Sequence, residues 1–328
     1  MRLTIRQAGF LTSVQDLGRI GFRRFGVSLG GALDLHGLRI ANLLVENEET
    51  AAGLEITLGG FRATFDDRRL LAWCGGAFDV RIGSTVLPAG RAGLIQPGEE
   101  LVVNPPSAGC RAWLAISGGI EIAPVLESRS TDLRAEFGGL DGRALRDGDV
   151  IPLGIESEAA RMVVDLLTNG RISAWSAPVN WTTTARKEPA LRFVRGADWN
   201  YFSPAAHESL VTQLFTVSPD SNRMGARLDG PPLWRHDNGD LISEAVVPGT
   251  LQAPSKGKPI LLLGDCQTIG GYPKIAHVIT VDLPVAAQLR AADQVRFCEI
   301  SMAEAHRLLF CRERDLGLFR VGLETRAA

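Results

Sequence analysis

A mainly β fold with a few helices is what this 328-residue chain predicts, and three observations carry it. The chain holds 36 Gly and 17 Pro. Short apolar runs recur along it at close spacing. Most of them are bounded by Gly, Pro, Asn or Asp, the residues that turn a chain between strands. Strands spaced this way build a barrel or a sandwich. Hydrophobic residues make up 45% of the chain against 22% charged, enough for a sizeable core.

The elements follow in order. Leu3 to Arg6 is the first strand. Asp34 caps a helix running to about Glu46, with Leu35, Leu38, Ala41 and Val45 on one face. Phe61 to Phe65, Leu70 to Cys74, Phe78 to Ile82 and Arg111 to Ser117 are strands. A helical stretch, Ser157 to Leu167, precedes a polar passage from Thr168 to Pro189. The domain boundary is placed there: an N-terminal domain over 1–168, a linker over 169–189 and a C-terminal domain over 190–328. Strands in the second part are Leu191 to Val194, Leu241 to Val247, Pro259 to Leu263, Ile275 to Val281 and Val295 to Ile300. Ser203-Pro204 opens a helix that carries Leu210, Val211 and Leu214 inward. Ser301 with Glu304 has capping-box spacing ahead of His306. Asp16-x-x-Arg19-x-Gly21-x-Arg23 is echoed by Asp220-x-x-Arg223-x-Gly225-x-Arg227, as two related halves would show, although an Asp–Arg pair pinning a turn explains each copy equally well.

Charge and motifs narrow the function. The net charge of −2 gives no basic surplus for nucleic acid or an anionic membrane. No apolar run approaches the ~20 residues of a membrane span, and the N-terminus lacks the apolar stretch of a signal peptide. Five scattered cysteines without a C-x-x-C pair fit reduced thiols and a cytoplasmic location. Gly26-Val-Ser28-Leu-Gly30 has the letters of a nucleophile elbow, but charged and Gly-rich sequence precedes it where a strand is required, so it reads as a turn. No Walker-type or dinucleotide-type glycine loop is present. The five histidines lie far apart, so no metal site is expected. No Met-Lys pair marks a biotin attachment site.

One segment stands out: G-D-C-Q-T-I-G-G-Y-P-K, from Gly264 to Lys274. It lies between two apolar runs and presents a carboxylate, an amide, a hydroxyl, a phenol and an ammonium on a loop, where binding and catalysis concentrate. Two adjacent glycines permit positive φ or close approach of a ligand, and Pro273 stiffens the exit. A plain hairpin turn with Asp265 and Lys274 as a surface pair accounts for the same letters. Other polar groups are Arg19 with Asp16, the S-R-S-T-D run from Ser128 to Asp132, Asn222-Arg223, Ser243-Glu244 and Gln252. Gathered in one cleft, they would hold a small polar substrate. Desolvation there would lower a lysine's pKa and make it a base, and an arginine would take a carboxylate through two parallel bonds.

Taken together, these motifs resemble the biotin-dependent carboxyltransferase family typified by the C subunit of 5-oxoprolinase, a type also labelled allophanate hydrolase subunit 2. The resemblance covers nearly the whole chain. It runs through T-S-V-Q-D-L-G-R-I-G, G-V-S-L-G-G-A-L-D, A-N-L-L-V-E-N and L-E-I-T. It continues in S-R-S-T-D-L-R-A-E-F-G-G-L-D-G-R-A-L-R-D-G-D and N-R-M-G-A-R-L-D-G. It closes with S-E-A-V-V-P-G-T-L-Q-A-P and D-C-Q-T-I-G-G-Y-P-K-I-A. It implies two cyclophilin-like β-barrel domains with a cleft between them. It also implies A and B subunits as partners, with which 5-oxoproline is opened to glutamate, and ATP bound by or shared with those partners. Alternatives within the family are a carboxyltransferase acting on a urea-like substrate with biotin supplied in trans, and a regulatory protein that antagonises a kinase inhibitor. Carried over by motif, Lys274 and Asp265 are the catalytic candidates. Arg223, Gln267, Thr268, Tyr272, Glu244 and Gln252 are the substrate-binding ones, with Arg223 on the substrate carboxylate. Three departures from the family pattern are Cys266 beside Asp265, Asn222 in place of an aspartate before Arg223, and Gly26-Val-Ser28-Leu-Gly30 without the usual proline and serine.

Overall fold

The computed structural model describes residues 1–167, 171–236 and 241–325. They form two compact units: Met1–Ile20 with Gly30–Ala185 and Asp315–Ala328, and Gly21–Leu29 with Arg186–Arg314.

In the first unit, β1 (Arg2–Ala8) and β2 (Leu11–Gln15) precede α1 (Leu35–Leu44). The strands β3 (Gly53–Thr57), β4 (Phe61–Phe65), β5 (Arg69–Ala77), β6 (Val80–Ile82) and β7 (Thr85–Val86) follow. After them come β8 (Gly93–Ile95), β9 (Glu100–Val103), β10 (Ala108–Ile116) and β11 (Val150–Pro152), then α2 (Glu158–Leu167) and α3 (Val179–Thr182). The strands pair as two sheets, β11-β1-β4-β9-β6-β7 and β2-β3-β10-β5-β8. The apolar run in β5 shows why. Leu71 and Trp73 join Leu3, Ile5, Phe61, Ile56 and Leu114 in a core fed by both sheets. Leu70, Ala72 and Cys74, on the opposite face, pack with Ile40 and Leu44 of α1 and with Ala160, Val163 and Val164 of α2. A strand buried on both faces loses the alternation that marks a half-exposed one. Asp34 caps α1 by accepting the Gly37 N–H at 2.7 Å, as its position predicts.

The second unit contains β12 (Ala190–Arg195), α4 (Pro204–Thr212), β13 (Phe215–Val217), β14 (Gly225–Asp229) and β15 (Glu244–Ala245). Next come β16 (Thr250–Gln252), β17 (Ile260–Leu262), β18 (Ile269–Gly270), β19 (Lys274–Val278), α5 (Leu283–Ala286), β20 (Gln294–Glu299) and α6 (Met302–Thr325), whose last residues belong to the first unit. Seven strands close into a barrel in the order β12-β19-β16-β17-β14-β13-β20, sealed by the parallel β12–β20 pair. Phe193, Phe215, Phe297, Leu251 and Leu261 are fully buried or nearly so. Ser203 caps α4 through the Ala206 N–H, and the Ser301 hydroxyl accepts the Glu304 N–H at 3.1 Å.

The fold is mainly β with few helices. Two local expectations change. Leu241 to Val247 is not a full strand: only Glu244–Ala245 pairs, and only with β18, while Ile242 is 86% exposed. Helix α6 extends far past His306, and its apolar residues follow no single face, so its length was not legible from periodicity. Among the described residues no helix is long and apolar enough to cross a membrane.

Candidate functional site

Barrel geometry explains why the Gly264–Lys274 loop is held so closely. In strand order β17 and β19 flank β16, so the loop joining them must pass the end of β16. The last residue of β16, Gln252, is registered against Lys274 and donates its side-chain amide to the Tyr272 carbonyl at 3.2 Å. The Ala253 N–H donates to the Pro273 carbonyl. Within the loop, β18 forms a two-residue ladder with β15, pairing Glu244 with Gly270. Neither Gly270 nor Gly271 adopts a positive φ. Close approach accounts for Gly270: a Cβ there would lie 3.0 Å from the Gln252 amide nitrogen and 3.3 Å from that of Gln267.

Lys274 opens β19 and is 8% exposed. Its ammonium lies 3.0 Å from Asp198 Oδ2 and 3.0 Å from Glu244 Oε2. Asp198 is locked in place: it also accepts the Lys274 N–H at 2.8 Å, and its own N–H donates to the Lys274 carbonyl at 3.1 Å. The chain reaches this position because Gly196, just past β12, donates to the Ile275 carbonyl at 2.9 Å. A Cβ at Gly196 would stand 2.2 Å from the Lys274 carbonyl oxygen, so only glycine fits. Burial, the largest single influence, pulls the Lys274 ammonium down, but its hydrogen bonds to Asp198 and Glu244, together with their charges, outweigh it and hold its pKa above the ordinary lysine value. Lys274 is therefore not lowered into a base, as burial alone would predict: with two carboxylates on Nζ, desolvation does not prevail. This ammonium stays charged at neutral pH.

Arg223 and Asp265 also differ from expectation. Arg223 Nε donates to Asp265 Oδ2 at 2.8 Å and Nη2 to Oδ1 at 3.1 Å, a fork with side chains only 6% and 9% exposed. The Asp265 N–H donates to the Arg223 carbonyl, tying the loop's start to the segment before β14. The carboxylate on Arg223 is thus the protein's own, and Asp265 is not an ion-pair partner of Lys274. Asn222 carries no ion pair here: its side-chain oxygen accepts the Met224 N–H at 2.8 Å and shapes the turn.

Cys266 is fully buried against Val246, Leu262 and Ile260. Burial pushes its thiol pKa up, with the nearby Arg23 guanidinium opposing. Arg23, on the short 3-10 turn Phe22–Phe25, donates to the Val246 carbonyl and, at 3.1 Å, to the Gln267 carbonyl. Gln267 and Thr268 take part here through backbone, Thr268 accepting the Val246 N–H at 3.0 Å. Tyr272 is 51% exposed and, with Gly271 and Pro273, borders a cavity of about 730 Å³ whose other walls include Trp234, Arg235 and Ser255. In the first unit, Asp16 accepts from the hydroxyls of Ser128 and Ser130 and from the N–H groups of Gly18 and Arg129. The S-R-S-T-D run is there a pin for a buried carboxylate.

A family profile described as "Carboxyltransferase domain, subdomain A and B" matches residues 25–299. This chain belongs to that carboxyltransferase family. It is 38% identical over 306 residues to a protein named as the C subunit of 5-oxoprolinase from Escherichia coli K12, spanning 92% of this chain and 93% of that one. A protein of the same name from Haemophilus influenzae is 31% identical over 90% of each chain. The solved Kluyveromyces lactis urea carboxylase superposes with a TM-score of 0.87 at 26% identity, covering 97% of this chain and 29% of that longer one.

Two residues of this cluster escaped sequence reasoning, Asp198 and Arg23. A signal for Asp198 existed in Gly196-Ala-Asp198 directly after a strand, the pattern of a chain turning tightly against its neighbour. Lysine usage was a second signal. The chain has four lysines, and Lys274 alone is buried, with Lys187, Lys256 and Lys258 exposed.

Proposed function

We infer that this chain is the C subunit of an ATP-dependent 5-oxoprolinase that opens 5-oxoproline to glutamate together with A and B subunits in the cytoplasm. The observation that carries the reading is the match to a 5-oxoprolinase relative across 92% of this chain and 93% of that one. Five free cysteines accord with a reducing compartment.

The site supports a restricted role for this chain within the complex. Opening a lactam builds negative charge on the carbonyl oxygen and requires a proton on the leaving nitrogen. A buried ammonium aimed by a fixed carboxylate is suited to both needs. Lys274 is assigned as that charge stabiliser and donor, with Asp198 as its positioning residue. Arg223 and Asp265 hold the loop, as do Gln252 and the Gln267 and Thr268 backbone. Tyr272 lines the adjoining cavity for the substrate. The residues present do not fit a triphosphate, since Arg223 is held by Asp265 and Lys274 keeps Asp198, leaving too little positive charge for three phosphates. ATP is accordingly assigned to the partners.

A second reading is favoured by the urea carboxylase superposition: carboxyl transfer from biotin on a separate carrier to a urea-like nitrogen. A third is a regulatory protein acting through binding alone, in which Lys274→Ala would leave the biological effect intact. One reconstitution separates them. The chain is combined with the A and B subunits, ATP and 5-oxoproline, and glutamate is measured with and without avidin. Glutamate that depends on this chain and ignores avidin supports the first reading. Formation no greater than in mixtures lacking this chain refutes it.

A further inference from the structure

The two carboxylates on Lys274 stand at the same distance but are held very differently. Asp198 is 11% exposed at its side chain and joined to Lys274 by two backbone hydrogen bonds in addition to the ion pair. Glu244 is 60% exposed at its side chain. It sits on a strand of two residues whose ladder involves β18 alone. Among the described residues, Lys274 is the one group that holds its carboxylate. An exposed pair of this kind contributes little and exchanges readily, whereas a buried, backbone-tied pair resists separation. The ammonium therefore has one permanent counter-ion and one that an incoming anion can replace.

We propose that Glu244 is a displaceable stand-in for the substrate's carboxylate: an anionic ligand takes its place on Lys274 while Asp198 stays and the exposed Glu244 side chain swings out to solvent. This reverses the expectation that Glu244 itself binds substrate. A carboxylate competes with the ligand for the same ammonium, so its removal strengthens anion binding. Displacement needs only a side-chain rotation, so the β15–β18 ladder and the Arg23 bonds to the Val246 and Gln267 carbonyls remain. Gln252, which buttresses the loop from β16, stays in place. The ligand class is a small monocarboxylate. Its identity as 5-oxoproline rests on the function proposed above; the displacement does not.

The test exploits the lysine count. Full-length chain labelled at lysine Cε and Nζ gives four side-chain signals, and Lys274→Met assigns the buried one. At constant ionic strength the protein is titrated with acetate, with 5-oxoproline and with pyrrolidin-2-one, the same ring without a carboxylate. Wild type is compared with Glu244→Gln, Glu244→Ala and Asp198→Asn. Both anions are expected to move the Lys274 signal, and both Glu244 variants to bind them roughly two- to fivefold more tightly, the range of an exposed ion pair. Asp198→Asn, which removes the permanent counter-ion, is expected to move the Lys274 signal before any anion is added. Unchanged or weaker binding in folded Glu244 variants overturns the proposal, as does an equal response to pyrrolidin-2-one or no response of Lys274 to any anion. A response to acetate with none to 5-oxoproline leaves the displacement standing and removes the substrate assignment.

Discussion

Replacing Asp265 with alanine separates a structural role from a catalytic one. The Asp265 carboxylate and the Arg223 guanidinium share two hydrogen bonds of 2.8 and 3.1 Å with side chains 9% and 6% exposed. Removing one member leaves the other charge in a low-dielectric site, which costs ~3–5 kcal/mol. At ~2–4 °C per kcal/mol for a domain of this size, the melting temperature should fall by about 6–20 °C. The assay is thermal unfolding of the free chain, with urea unfolding as a check, beside glutamate formation by the reconstituted complex. Because the penalty comes from splitting a buried charge pair, Arg223→Met with Asp265→Leu should recover most of the lost stability, as replaced buried pairs do. Asp265→Ala melting within ~2 °C of wild type, under ~1 kcal/mol of lost stability, would refute the reasoning. Catalytic loss without instability would return Asp265 to the reacting groups.

Gly196→Ala should disturb the Lys274 site from outside it. The added Cβ meets the Lys274 carbonyl oxygen at 2.2 Å, so about 1–3 kcal/mol of stability should be lost, and the Lys274 resonance should shift; a variant matching wild type in melt and spectrum would show that the backbone contact is slack. The pH dependence of stability has two distinct limbs. Lys274 has a folded pKa raised above its unfolded value, so its contribution is full below about 10.4 and lost as pH rises through the folded value. The stability advantage of wild type over Lys274→Met should therefore hold through neutral pH and shrink only in strong alkali. His277 is depressed by burial, so wild type should lose stability relative to His277→Gln as pH falls below about 6.5. Parallel melting curves across that range would contradict this second limb.

The parts of the fold carried by local chemistry are legible in the residues alone. Asp34, Ser203 and Ser301 cap helices where their spacing places them. Phe61–Phe65 is a strand at the bounds its alternation marks. What local chemistry could not give were pairings between distant segments. Asp265 and Lys274 stand in one loop and read as one couple, yet Arg223 captures the first while Asp198 and Glu244 capture the second. Lysine desolvation likewise argued for a base, because burial was foreseeable and the neighbouring carboxylates were not.

By itself the sequence determined a mainly β chain and the loop from Gly264 to Lys274 as the place where its chemistry gathers. Those follow from turn residues, alternation and the order of motifs, all local properties of a chain. Only the tertiary structure decided which charges neutralise which. The barrel's strand order brings the end of β12 and the end of β16 to either side of Lys274. An ion pair's strength and lifetime depend on burial and on what else holds its members. That is why one carboxylate on Lys274 is fixed and the other exchangeable.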